Sequence, residues 1–278
     1  MSFKSYIKAV GTGPKGNRDL SFEEAQDMMR QILFGEAAPE QIAAFLLGWR
    51  LKGESNEEFL GALSAIDEFT YKDLVPNSIE LGYPFDGKAK NPYLLEDVLK
   101  ELEKSELSVV VYGDLLQPAK SGLTIQDLCK ELNAENLYYF DRKEYCREIH
   151  ELTDIRMLLG VRTGFNTLEK LPCVANSKSA ITGVHHTPYV KKYIEIFSKR
   201  YERFALIQGD EGSPELFKKG KLWISQGGEI TEEIVDPEFY GIKPLEKSKD
   251  LARLNAAIWL YVAGEYKTLK EAYEFLEK

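Results

Sequence analysis

Cysteine is scarce. Only Cys129, Cys146 and Cys173 occur among 278 residues, an odd number with neither the close pairing of a zinc site nor that of a redox motif. They read as buried thiols in a reducing compartment. No run of about 18 apolar residues appears, and the opening Met1-Ser2-Phe3-Lys4-Ser5-Tyr6 lacks the apolar core of a signal peptide. A soluble cytoplasmic protein without membrane contact is therefore expected. The pair His185-His186 lacks a third ligand for a metal and reads as loop surface or partly packed side chains, and His150 reads as a surface neighbour of Asp154.

Net positive charge is also missing, since the chain carries −9 overall. That total argues against indiscriminate binding to nucleic acid or anionic membrane, but it is unevenly spread. Residues 1–18 hold Lys4, Lys8, Lys15 and Arg18 and no acid, and residues 150–205 carry nine bases against five acids, so each island is +4. Residues 19–149 are −13 and the last 73 residues −4. Two basic islands in an acidic chain are compatible with a local polyanion site.

The second island contains the stretch Arg156–Leu171. It sets Arg156, Arg162 and Lys170 beside Thr163, Asn166 and Thr167 in a segment otherwise rich in Leu, Val and Phe. Guanidinium groups are forked donors to phosphate and carboxylate oxygens, so one reading is an anion or phosphoester site. The other is an amphipathic helix and turn with solvated charges.

Apolar spacing divides the chain in two. Ser21 with Glu24 and Ser55 with Glu58 are capping-box signatures, and Pro39 suits a first helical turn, so residues 19–70 predict a compact helical unit. After Pro76 short β-like runs alternate with helices. Strands are expected over Ser78–Leu81, Leu107–Tyr112, Leu137–Phe140, Ala180–Val184, Phe204–Gln208 and Leu222–Ser225. Helices are expected over Pro92–Lys104, Thr124–Leu132, Pro188–Ser198, Lys249–Val262 and Thr268–Glu277. The fold class is α/β with a separate all-α N-terminal domain and a mainly parallel central sheet flanked by helices. The expected domains are 1–72, helical and dimerising, and 73–278, α/β, with a basic helical segment at about 150–172. Ligands in such folds collect at the carboxyl ends of strands, here the loops 82–91, 113–122, 185–188 and 209–214.

Several motifs resemble one family. Gln41-Ile42-Ala43-Ala44-Phe45-Leu46 with Arg50-Leu51-Lys52-Gly53-Glu54-Ser55, then Leu159-Gly160-Val161-Arg162-Thr163 with Phe165-Asn166-Thr167-Leu168, and Asp236-Pro237-Glu238-Phe239-Tyr240-Gly241 are similar to the anthranilate phosphoribosyltransferases, nearly end to end. The resemblance implies the nucleoside phosphorylase and anthranilate phosphoribosyltransferase type of fold, of glycosyltransferase family 3, as a homodimer packed through the helical domain.

The working loops depart from that pattern. Where the family cradles phosphoribosyl pyrophosphate with Gly-Thr-Gly-Gly-Asp, this chain has Gly82-Tyr83-Pro84-Phe85-Asp86-Gly87-Lys88-Ala89-Lys90-Asn91. Pro84 removes an amide donor, and Tyr83 and Phe85 add bulk where bare backbone is needed. The family's Lys-His-Gly-Asn-Arg loop becomes Val111-Tyr112-Gly113-Asp114-Leu115, and its magnesium-holding Gly-Leu-Asp-Glu becomes Gly212-Ser213-Pro214-Glu215. Asp210, Glu211 and Glu215 read either as surface acids or as a weakened metal site. An intact frame with replaced loops, opened by Gly11-Thr12-Gly13-Pro14-Lys15-Gly16-Asn17-Arg18, is similar to the YbiB-type paralogue branch. That resemblance implies nucleic-acid binding as a homodimer, without the anthranilate reaction and without a cofactor. The expected phosphate-binding residues are Lys15, Arg18, Lys88, Lys90, Arg156, Arg162 and Lys170. The alternative is a phosphoribosyltransferase for another acceptor, using magnesium with phosphoribosyl pyrophosphate.

Overall fold

Local signals set the first four helices. In the computed structural model, which describes residues 1–184, 187–243 and 247–278, they are α1 (Phe3–Gly11), α2 (Phe22–Leu33), α3 (Pro39–Lys52) and α4 (Asn56–Phe69). Ser21 and Ser55 cap α2 and α4 through reciprocal bonds with Glu24 and Glu58, and Pro39 opens α3. Part of the first basic island folds as α1 because Phe3, Tyr6 and Val10 recur on one buried stripe.

A seven-stranded sheet follows, in the order β3-β2-β1-β4-β5-β6-β7. Its strands are β1 (Ser78–Gly82), β2 (Ser108–Gly113), β3 (Leu137–Asp141), β4 (Ser179–Gly183), β5 (Arg203–Ile207), β6 (Gly220–Gln226) and β7 (Glu229–Val235). The five from β1 to β5 run parallel, and β6 and β7 return antiparallel. The last strand is additional to the six expected. Its signal is Gly227-Gly228, both at positive φ, closing a two-residue hairpin that pairs Gln226 with Glu229.

Helices α5 (Leu95–Leu102) and α6 (Ile125–Cys129) connect the first strands, and α7 (Arg142–Tyr145), α8 (Arg147–His150), α9 (Thr153–Leu159) and α10 (Phe165–Leu168) follow β3. The basic segment is thus broken into short turns rather than forming one helix, with Gly160 stopping α9 in the left-handed conformation. α11 (Pro188–Phe197), α12 (Lys249–Ala263) and α13 (Leu269–Glu277) complete the fold. The reading of His185-His186 falls outside the described residues.

Strand alternation divides the interior into two cores. Val109 and Val111 face α5, α12 and α13, whereas Val110 and Tyr112 face the N-terminal helices. The helical bundle and one face of the sheet therefore share a continuous core that includes Phe45, Trp49, Phe165 and Phe204. No helix among the described residues is long and apolar enough to cross a membrane.

Candidate functional site

The order of strands reverses between β1 and β4, so a crevice opens at the carboxyl ends of these strands. The loops after β1, β2 and β5 converge there, but they meet each other. Tyr83 is buried, and its hydroxyl donates to Glu215 Oε1 at 2.9 Å. Burial, with Glu215 beside it, pushes the Tyr83 phenol well above its ordinary value. Phe85 is buried on the other side, with the Arg142 guanidinium 4.5 Å from its ring centre. Tyr83, Phe85, Tyr112, Asp114 and Ile125 are all buried where these loops meet.

Lys88 is buried rather than presented to solvent. Its ammonium lies 2.7 Å from Glu215 Oε2 and 3.3 Å from Asp210 Oδ2, among the rings of Tyr93 and Phe217. Glu215 is itself fully buried and also accepts the Leu94 and Leu95 amides, capping the start of α5. It is therefore neither a surface acid nor an open metal ligand. Glu211 turns its carboxylate onto the amides of Ala89, Lys90 and Asn91, at 2.8–3.3 Å. Burial opposes its charge, but these three donors hold its carboxyl below the usual range.

Arg156 is consumed in the same way. It makes a forked pair with Glu169 at 2.7 and 2.9 Å, wholly buried, so it cannot reach a phosphate. Arg142 bridges Glu169 and Asp114, and His150 reaches Asp114 at 2.7 Å rather than pairing with Asp154. Burial opposes the Glu169 charge, yet Arg156 and Arg142 hold its carboxyl below the ordinary value. Lys170 is buried too, donating to Gly183 O at 3.0 Å and Gly212 O at 3.3 Å. Burial, with Arg162 and Lys120 nearby, lowers its amine to about 8 despite Asp86. Three expected phosphate ligands, Lys88, Arg156 and Lys170, thus serve the interior, because buried cations are retained only where acceptors surround them.

The remaining four, Lys15, Arg18, Lys90 and Arg162, are exposed. Arg162 is half-exposed and pairs with buried Asp86, which Lys120 approaches at 3.7 Å. Lys120 also donates to Glu211 O, beside the exposed Lys90. Arg50, at the end of α3, donates to Arg162 O, and two residues on Lys52 pairs with Asp19, next to Arg18. Arg162 of the second island is therefore joined to the last turn of α3, which on another side holds Asp19, the residue after the first island. Arg18 is tied to Glu24 at 2.6 Å and Lys15 is exposed. Lys192 and Arg200 of the second island bind Glu54 O and Asp67.

Residues 4–70 match the model described as glycosyl transferase family, helical bundle domain. A curated anthranilate phosphoribosyltransferase of Marinomonas sp. is 25% identical across 100% of this chain and 92% of its own length. The chain therefore carries the helical bundle domain of the glycosyl transferase family and is similar over its whole length to anthranilate phosphoribosyltransferases. An uncharacterised protein of Aquifex aeolicus is more similar, at 29% identity over 94% of this chain and 93% of its own. The anthranilate phosphoribosyltransferase of Thermus thermophilus shares the fold with a TM-score of 0.77 at 19% identity, covering 99% of this chain and 92% of that one. The Saccharomyces cerevisiae enzyme in complex with phosphoribosyl pyrophosphate and magnesium gives 0.75 at 15% identity, over 99% and 92%. Magnesium does not fit the residues of this chain, because the Lys88 ammonium already lies against Glu215 and Asp210. Among the described residues no group of three His, Cys, Asp or Glu side chains could hold a metal.

Proposed function

We propose that the chain is a nucleic-acid-binding homodimer on an anthranilate phosphoribosyltransferase-like scaffold, and that phosphoribosyl transfer has been lost. The observation that carries this reading is that Lys15, Arg18, Lys90 and Arg162 remain exposed, with Arg162 joined to the end of α3 through Arg50, while the crevice is closed by Tyr83, Phe85 and Lys88. Contacts run on from Arg162 through Asp86, Lys120 and Glu211 to the Lys90 amide, so these cations are connected rather than scattered. A rim of such cations follows a phosphate backbone and reads bases little. The acidic total of −9 limits affinity at physiological salt.

A salt titration of fluorescent single-stranded DNA tests the reading. Each lost phosphate contact flattens the logarithmic salt slope by about 0.7, so Lys90→Ala/Arg162→Ala weakens binding and lowers the slope by about 1.4. Absence of binding at low salt, or a double variant indistinguishable from wild type, overturns it. Calorimetric titration with phosphoribosyl pyrophosphate and magnesium is expected to be silent, and tight metal-dependent binding restores the transferase.

A further inference from the structure

A surplus of acid gathers far from the crevice. Residues 95–106 hold five acids and two bases, and residues 125–136 three acids and one base, so the two stretches together carry −5. They meet beside the amino ends of β2 and β3, because α5 and α6 each run back along the sheet before the next parallel strand begins. Asn136, the residue before β3, donates to Leu99 O at 3.1 Å and ties the two stretches together. Between them lies a groove of ≈ 380 Å³ lined by Leu99, Leu128 and Leu132 and by Glu96, Glu103 and Glu131. The leucines are buried or half-buried and the glutamates exposed, which gives an apolar floor under an acidic edge. Lys100, the one cation lining it, is drawn to Glu96 at 2.7 Å and Asp97 at 3.8 Å, so Glu103 and Glu131 are left without an ion-pair partner among the described residues.

We infer that this groove docks a basic segment of a partner protein, one that presents a leucine-like side chain between lysines or arginines. Charge complementarity selects the occupant. The leucine floor takes the aliphatic side chain, while Glu103 at the end of α5 and Glu131 beyond α6 face the flanking cations from the two sides. The volume is that of a small cleft, with room for a few side chains rather than for a helix pair. Nucleic acid is repelled by the same charge, and a second copy using this face would set −5 against −5. Lys90 and Arg162 stand at the other end of the sheet, beside the crevice, so both ends can be occupied at once.

The test uses the full chain and, as the probe, a short fluorescent peptide in which single leucines alternate with pairs of lysines. Fluorescence anisotropy is expected to show binding that weakens with salt. E103K/E131K should lower the affinity at least about tenfold, and a peptide with serine in place of leucine should lose at least about as much on the wild-type protein. Both positions are exposed and a lysine suits the end of α5, so the variant keeps its fold. E36K/E265K makes the same change in net charge at exposed sites elsewhere and should leave the affinity within about twofold of wild type. No binding by wild type, equal binding by E103K/E131K, an equal loss in E36K/E265K, or a serine peptide that binds as well as the leucine one overturns the inference. A change of oligomeric state in E103K/E131K would make this face a contact between copies and overturn it too. DNA affinity, measured separately, should hold or rise in E103K/E131K; its loss would put nucleic acid in the groove in place of a basic partner.

Discussion

Lys170 and Arg156 sit 14 residues apart in a segment whose charges look solvated, and both are buried. Their consequences differ with the acceptors each one meets. Arg156 has the Glu169 carboxylate, so Arg156→Ala leaves a buried charge that has lost one of its two arginine partners. That change is expected to cost about 3–5 kcal/mol in urea unfolding while leaving the DNA salt slope of the folded fraction unchanged. Lys170 has only carbonyl oxygens, and burial lowers its amine from 10.5 to about 8. Between those values the unfolded chain holds a proton that the folded chain lacks, so the folded state gains stability as pH rises through that window. Below it the ammonium is charged in both states, and the full burial penalty applies. A shift of this size corresponds to about 3 kcal/mol at most. Urea midpoints for wild type and Lys170→Met should therefore converge in favour of wild type between pH 7 and pH 10; parallel profiles would reject a lowered amine.

At the level of elements, local chemistry is legible in the sequence and long-range pairing is not. The caps Ser21 and Ser55, the Pro39 start and the continuous apolar run at 109–112 are all encoded within a few residues, and the corresponding elements form. α1 and β7 escape the sequence reading because charge or acidity masks periodic apolar positions, Phe3, Tyr6 and Val10 in one and Ile230 and Ile234 in the other. Site residues are harder still, because burial depends on partners distant in sequence. Lys88 meets Glu215 across 127 residues, and Arg50 meets Arg162 across 112. The docking of α10 on the bundle gives a test at this scale. A Cβ on Gly164 would lie 2.5 Å from Cζ3 of Trp49, whose indole is fixed by a bond to Glu58. Gly164→Ala should therefore destabilise the fold by about 1–3 kcal/mol in chemical denaturation, since neither the ring nor α3 can retreat without breaking that bond.

For the whole molecule, the surface beside the rim matters as much as its charge. α3 exposes Leu47 and Leu51, the latter 76% accessible, and the adjoining α9 exposes Met157 and Leu158, the latter 90% accessible. Large apolar side chains gathered on two neighbouring helices suit a self-complementary contact, in which the same surface is used by both partners. Leu51 directly follows Arg50, so pairing through this face would bring two basic rims near one two-fold axis. Two linked rims bind one strand more tightly than one rim, without any new contact. The homodimer and the nucleic-acid reading thus predict each other. Leu51→Glu/Leu158→Glu should give a monomer by light scattering, keep the thermal midpoint within a few degrees because both positions are exposed, and lower DNA affinity by at least about tenfold with a flatter salt slope. A monomeric variant that binds DNA with the wild-type slope would separate the two properties and assign the contacts to a single rim.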